Sequence, residues 1–276
     1  MSNTDASTDV RALETDRLHA VFARARAAGR AALIPYLMAG DPDLATTAAV
    51  IDAISASVDL IELGIPYGDP LADGPTIAAA GQRALAAGTG IDAVLALAKG
   101  ASERGAAPIV FFTYVNPVVQ YGAARFAAAA RAAGALGAIV PDVPLEELAT
   151  FAPAFHAEGL AIPLLVAPTT PAERAARIAT QSDGFVYVVS RLGVTGARRD
   201  PDVAWIASAV AGLRASSKKP LAVGFGISTP AHAAAIGKIA DGVIVGSALI
   251  DAIAGRSGAD AARAARAYVE SLRSAL

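Results

Sequence analysis

The chain has 276 residues, 54% of them hydrophobic and 17% charged, with 23 Lys and Arg against 25 Asp and Glu for a formal net charge of −2. That length suits one β/α barrel of about 250 residues, and the balanced charge offers no basic block to follow a nucleic-acid backbone. The absence of cysteine excludes disulfides and thiolate chemistry and agrees with a cytoplasmic location; the mean hydropathy of +0.48 comes from alanine, and no apolar run approaches the roughly 18 residues of a membrane span.

Met1 to Asp9 is polar and has no basic start followed by an apolar core, so residues 1–10 read as a disordered tail and residues 11–276 as one barrel domain. Leu13 to Ala28 carries apolar residues at helical spacing and Gly29 ends it. Ala32–Met38 is a short apolar run, and Gly40-Asp41-Pro42-Asp43 turns into a helix over Leu44–Ser55. The same alternation recurs, with strands expected at Asp59–Leu63, Pro108–Tyr114, Gly137–Asp142, Ala161–Ala167, Gly184–Ser190, Pro220–Gly226 and Asp241–Ser247. Between them lie alanine-rich helical stretches: one opening at Thr76, then Ile91–Arg104, Ala123–Ala133, Leu145–Glu158, Pro171–Thr180, Asp202–Ser216 and Pro230–Lys238, with Asp260–Leu276 last. Strands that are nearly all apolar are buried on both faces, and eight such units favour a closed (β/α)8 TIM barrel with an additional N-terminal helix.

In such barrels the reacting groups stand at the C-terminal strand ends and in the loops beyond them. Side chains alternate along a strand, so Leu60 and Glu62 share one face of the second strand, and Glu62 takes an apolar position there. A lone glutamate in that place reads as a strand-end residue bonded to backbone or water. Asp73 on the following loop changes the reading, because two acid/base groups can then converge on one pocket. Gly224-Phe225-Gly226-Ile227-Ser228 and Val245-Gly246-Ser247 end the seventh and eighth strands, where barrel loops form phosphate sites; each is otherwise a tight turn. Ser190 to Gly196 reads as a lid or as an ordinary surface loop.

Other chemistries are set aside by position. Lys99, Lys218, Lys219 and Lys238 are not at C-terminal strand ends, which argues against an imine mechanism. His19, His156 and His232 fall on separate helices, so neither a histidine metal centre nor a His-centred triad is expected. No Rossmann fingerprint is present. Carboxylate acid/base catalysis remains.

Glu62-Leu63-Gly64-Ile65-Pro66-Tyr67-Gly68-Asp69-Pro70-Leu71-Ala72-Asp73-Gly74-Pro75 closely resembles the signature of the tryptophan synthase α-subunit family. The likeness extends through Pro35 to Pro42, Tyr114-Val115-Asn116-Pro117, Pro141-Asp142-Val143-Pro144, Tyr187 to Arg191, Gly193 to Gly196 and Gly224 to Ile227. The resemblance implies a barrel that cleaves indole-3-glycerol phosphate by a reverse aldol reaction to indole and D-glyceraldehyde 3-phosphate. By it, Glu62 transfers protons at the indole carbon and side-chain hydroxyl, Asp73 accepts the indole N–H, and Tyr187 supports the glutamate. It further implies phosphate contacts at Gly196, Gly226, Gly246 and Ser247, an indole pocket of Tyr36, Phe112, Ile139 and Phe225, and a lid carrying Arg191 and Thr195.

The family works with a pyridoxal-phosphate β subunit in an α2β2 heterotetramer, each site regulating the other. The resemblance therefore implies no cofactor in this chain, no metal, and a partner face including Asp69, Pro70, Asn116 and Pro144, which otherwise read as turn residues. Gly68 stands where the family usually has Ser, Ala78 where Gln is common, and Tyr36 and Tyr67 where Phe is commoner. These departures bear on loop stiffness and partner contacts more than on the chemistry. A stand-alone lyase releasing free indole, another phosphate-binding barrel such as an isomerase of histidine or tryptophan biosynthesis, and a non-catalytic activator of a β subunit are the competing expectations.

Overall fold

The computed structural model describes residues 17–190, 201–224 and 226–276. The expected tail at 1–10, the lid residues Arg191 and Thr195, Gly196 and Phe225 lie outside the described residues. Helix α1 covers residues 17–27, and strand β1 follows at Ala32–Met38. Strand and helix then alternate through α2 (Leu44–Ile54), β2 (Ile61–Gly64), α3 (Pro75–Ala86), α4 (Ile91–Glu103), β3 (Ile109–Phe112), α5 (Val115–Tyr121), α6 (Ala123–Ala132) and β4 (Gly137–Ile139). The second half continues with α7 (Leu148–Ala157), β5 (Leu164–Val166), α8 (Ala172–Gln181), β6 (Val186–Val189), α9 (Val203–Ser216) and β7 (Leu221–Gly224). The last elements are α10 (Pro230–Gly237), β8 (Gly242–Val245), α11 (Ser247–Ile253) and α12 (Gly258–Arg273).

All strand pairings are parallel, in the order β4-β3-β2-β1-β8-β7-β6-β5. The remaining seam between β4 and β5 is bridged at Gly137 and Ala161, where Ala138 N donates to the Ala161 carbonyl at 3.0 Å and Ala161 N to the Leu136 carbonyl at 3.0 Å. The result is the expected (β/α)8 barrel. Several strands are shorter than their apolar runs because proline has no N–H for a ladder. Pro108 precedes β3, Pro141 lies just beyond β4, and Pro163 separates Ala161 from β5.

Alternation sorts the side chains into two layers. Ile61, Leu63, Phe111 and Val223 face the surrounding helices, whereas Ile34, Tyr36, Leu60, Val110, Phe112, Ile139, Tyr187, Ala222 and Ile244 fill the interior. Helix α1 plugs the N-terminal end of the barrel: Phe22 packs on Phe185 with ring centroids 5.3 Å apart, and Leu18 and Val21 are buried beside it. The opposite end is left to the site.

Asp59, just before β2, locks the N-terminal rim. It accepts from Arg30 at 2.8 and 2.9 Å, from Leu33 N at 2.8 Å and from Arg273 of α12 at 2.7 Å. Burial alone would raise its carboxyl pKa, but these donors outweigh burial and hold it below the usual carboxylate value of 3.8. A carboxylate depressed in this way stabilises the fold above its unfolded pKa and loses that contribution as pH falls through the folded one. Asp59→Asn is therefore expected to destabilise the protein by about 2–4 kcal/mol at pH 7, a difference that shrinks below about pH 4. Urea unfolding at the two pH values measures it.

Candidate active site

Strand β2 delivers Glu62 to the interior layer, in register with Tyr36 on one side and Val110 on the other. The side chain is 1% exposed, and Oε1 has no hydrogen-bond partner among the described residues. Desolvation penalises the charged form, so the carboxyl pKa is pushed up to about 8. At neutral pH Glu62 is mainly a neutral acid.

Asp73 ends the long loop after β2, two residues ahead of α3, and is 7% exposed. Burial raises its pKa, a hydrogen bond from the Tyr114 hydroxyl draws it back, and the balance falls at about 6. Two carboxyls near one barrel mouth are thus driven to opposite protonation states at pH 7, which is the condition for one to donate and the other to hold positive charge.

Tyr114 was hidden within a longer motif and is the functional residue that sequence reasoning passed over. Its hydroxyl accepts from Ala72 N at 3.1 Å while bonding to Asp73, so it fixes the loop at two adjacent residues. Burial, then the Asp73 charge, push its phenol well above the ordinary value, so it stays a donor. An aromatic hydroxyl at the C-terminal end of β3, on the same barrel rim as Asp73, was the available signal. The Tyr67 ring packs against Tyr114 at 5.5 Å, and Asn116 Nδ2 donates to the Tyr67 hydroxyl at 3.0 Å. Asp142, beyond β4, accepts from Val115 N at 2.9 Å and so satisfies the start of α5.

Tyr36 and Tyr187 are buried tyrosines of the interior layer. For Tyr187 burial and then the Glu62, Tyr36 and Asp73 charges raise the phenol pKa; for Tyr36 burial and then Asp73, Tyr114 and Glu62 do so. Both rings need a neighbour without a side chain: a Cβ at Gly64 would overlap the Tyr36 hydroxyl, and one at Gly224 would overlap that of Tyr187. Tyr36 meets Phe112 edge to face at 5.7 Å and 88°, and Phe112 is in register with Ile139. The three described residues expected to wall an apolar pocket therefore share the interior layer with Glu62.

Gly226, expected at the phosphate, is exposed with φ of 77°, a conformation that suits glycine. Gly246 caps α11, and a Cβ there would lie 3.4 Å from Ile77 of α3 and 3.6 Å from Tyr36. Ser247, expected as the end of a strand, is the exposed first residue of α11. Asp69, Asn116 and Pro144 are exposed and Pro70 half-buried; Leu71, at 75% exposure, and Val119, at 57%, add apolar surface on the same loop and helix.

Among the described residues no group of three or more His, Cys, Asp or Glu is placed to hold a metal ion, and no single helix is long and apolar enough to cross a membrane. A parallel barrel with two buried carboxyls of different acidity near its C-terminal mouth has the make-up of a (β/α)8 enzyme suited to acid–base chemistry. A family model described as tryptophan synthase alpha chain matches residues 22–275. The tryptophan synthase alpha chain of Prochlorococcus marinus (strain MIT 9313) is 49% identical over 256 residues, covering 92% of this chain and 93% of that one. That of Caulobacter sp. (strain K31) is 48% identical over 240 residues, covering 86% and 87%. Among solved structures, a chain of Mycobacterium tuberculosis tryptophan synthase superposes with a TM-score of 0.86 at 41% identity, covering 94% of this chain and 97% of that one. The alpha subunit from Legionella pneumophila gives 0.84 at 35% identity, covering 94% and 97%. The chain belongs to the tryptophan synthase alpha chain family, lyases of tryptophan biosynthesis that cleave indole-3-glycerol phosphate.

Because the folded chain keeps Glu62 protonated to a higher pH than the unfolded chain does, its contribution to stability is full below about pH 4.5 and is lost as pH rises toward about 8. Glu62→Gln is expected to be more stable than wild type by about 2–3 kcal/mol at pH 7–8 and equal to it near pH 4, as read from urea unfolding. Tyr114→Phe removes the donor to Asp73 and is expected to raise the Asp73 pKa above about 6, as read from a carboxyl NMR titration.

Proposed function

We propose that Glu62 and Asp73 are the two catalytic groups of the indole-3-glycerol phosphate cleavage and divide its proton transfers between them. The observation that carries this reading is the buried Glu62 carboxyl, neutral at the working pH, inside the same barrel mouth as an Asp73 that ionises about two units lower. Neutral Glu62 gives its proton to the ring carbon that bears the side chain. The ring becomes cationic, and Asp73 accepts the indole N–H hydrogen bond and balances that charge. The Glu62 carboxylate so formed takes the proton of the side-chain hydroxyl. The carbon–carbon bond then breaks, its electron pair restores the indole ring, and the hydroxyl carbon becomes the aldehyde of glyceraldehyde 3-phosphate. Glu62 ends the cycle protonated.

Tyr187 and Tyr36 stay neutral beside Glu62, and with Phe112 and Ile139 they give the indole an apolar wall. Gly226, Gly246 and Ser247, with Gly196 and Phe225, take the phosphate and the far side of the ring. Backbone N–H groups at the start of α11 suit an anion. Arg191 and Thr195 belong to the segment that covers the substrate. The partner is a β subunit carrying the pyridoxal phosphate, docked over Asp69, Pro70, Asn116 and Pro144 in a heterotetramer of the cytoplasm. The exposed Leu71 and Val119 on that rim support the docking face.

The test is indole release from indole-3-glycerol phosphate, with and without a β subunit from the same source. Glu62→Gln and Asp73→Asn are each expected to lower kcat by about 10²–10⁴-fold while leaving the barrel folded. Wild-type kcat should rise with pH through about 6, as Asp73 ionises, and fall through about 8, as Glu62 loses its proton. Undiminished turnover in either variant contradicts the assignment, and wild type equally fast with and without the β subunit contradicts the partnership.

A further inference from the structure

Asp73 lies immediately before the Gly74 cap of α3, and no side chain caps that end of the helix. The direction of α3, together with the Tyr114 hydroxyl that bonds Asp73, sets where the carboxylate lies. The far end of α3 is held by Asp41, in the loop after β1. Arg83, in the last turn of α3, donates from Nε to Asp41 Oδ1 at 2.7 Å and from Nη2 to Oδ2 at 2.8 Å, a two-pronged pair that fixes orientation as well as distance. Asp41 is 6% exposed, so the pair is shielded on its acidic side.

A second contact supports the same joint. Gly40 has φ of 86°, and a Cβ there would stand 2.7 Å from Cβ of Thr89, the buried residue that follows α3. The loop is itself tied down, because Gly40 N donates to Thr47 Oγ1 of α2 at 3.0 Å. Midway along α3, Gly81 lets Met38 of β1 approach, with Met38 Cε 3.4 Å from where a Cβ would be. Helix α3 is thus a strut clamped at its far end to β1 and its loop, with Asp73 at the near end, where the Tyr114 hydroxyl holds it.

We infer that Asp41 and Arg83 are positioning residues for the reaction: their paired fork sets the line of α3 and through it the place and hydration of the Asp73 carboxylate. The inference rests on the Asp73 role proposed above. The guanidinium also neutralises Asp41, which lies within electrostatic reach of Tyr36 in the interior layer. A lysine would supply the charge without the fork.

The experiment compares wild type, Arg83→Gln, Arg83→Lys, Asp41→Asn and the double variant Asp41→Asn/Arg83→Gln with the β subunit present. It reads kcat, KM and the pH profile of indole release together with thermal midpoints. Small misplacements of a catalytic group cost up to about a hundredfold, so Arg83→Gln and Asp41→Asn are each expected to lower kcat by about tenfold or more. The double variant should be no worse than the poorer single one, as two ends of one clamp require. KM should change less than kcat, although α3 also meets Gly246 beside the proposed phosphate site through Ile77, and the acid limb should move to lower pH as a freed Asp73 gains water. Arg83→Lys should recover only part of the loss, and it carries the test if Asp41→Asn does not fold. Wild-type kcat and an unmoved acid limb in Arg83→Gln and Arg83→Lys, whatever their thermal midpoints, would overturn the inference and leave the pair a structural tie. Wild type releasing no indole would instead strike the functional reading on which it rests.

Discussion

Inside the barrel, between Tyr36 and Val110, the Glu62 carboxyl occupies a place in an interior layer otherwise made largely of aliphatic and aromatic side chains, and one of its oxygens has no partner among the described residues. Burying an unpaired carboxylate is costly, and the group meets that cost by keeping its proton. Everything needed for an acid at neutral pH follows from the dryness of its surroundings, without a second charge to tune it. The surroundings must then stay dry and close-packed. Gly64 and Gly224 serve this by letting the Tyr36 and Tyr187 hydroxyl ends come close to the strand ends. Stability withheld at Glu62 is supplied elsewhere, in part by the Asp59 network, which joins β1, β2 and α12 at the end of the barrel away from the chemistry.

The second carboxyl is controlled differently. Asp73 sits on a loop, where burial raises its pKa and one phenol lowers it, so its ionisation depends on geometry that can shift. Tyr114, just beyond β3, and the strut of α3 meet at that loop from two directions, the Tyr114 hydroxyl bonding both Asp73 and the Ala72 amide. The same segment continues through the exposed Asp69, the half-buried Pro70 and the exposed Leu71. A partner pressing on that rim would act on Asp73 with little intervening structure, whereas Glu62, set in a strand, would be little disturbed. A fixed acid and an adjustable base are what the proposed dependence on a partner requires.

Much of this was legible in the chain itself. The inward direction of Glu62 follows from its sharing a face with Leu60, and the barrel from apolar runs recurring with alanine-rich helices between them. What sequence could not show has local causes. Helix α5 was masked because Asn116-Pro117 reads as a turn, yet proline is tolerated in the first turn, where its missing N–H breaks no helical bond. Helix α11 was absorbed into the end of β8, since Val245-Gly246-Ser247 gives no signal of a change of period until Gly246 adopts its capping conformation. Tyr114 was read as a strand residue because its role depends on a loop that reaches it from 42 positions away. The Asp41–Arg83 pair is likewise a contact across 42 positions, which neither helical nor strand periodicity reports.

The measurement that bears most directly on this account is the titration of the Glu62 carboxyl itself, by ¹³C NMR or infrared difference spectroscopy, with Glu62→Gln used to assign the signal. The account predicts a midpoint near 8, with the protonated signature dominant at pH 7. A carboxyl that titrates near 4.5, the value of an ordinary glutamate, would show that Glu62 is hydrated and ionised at neutral pH and would contradict its proposed role as the acid.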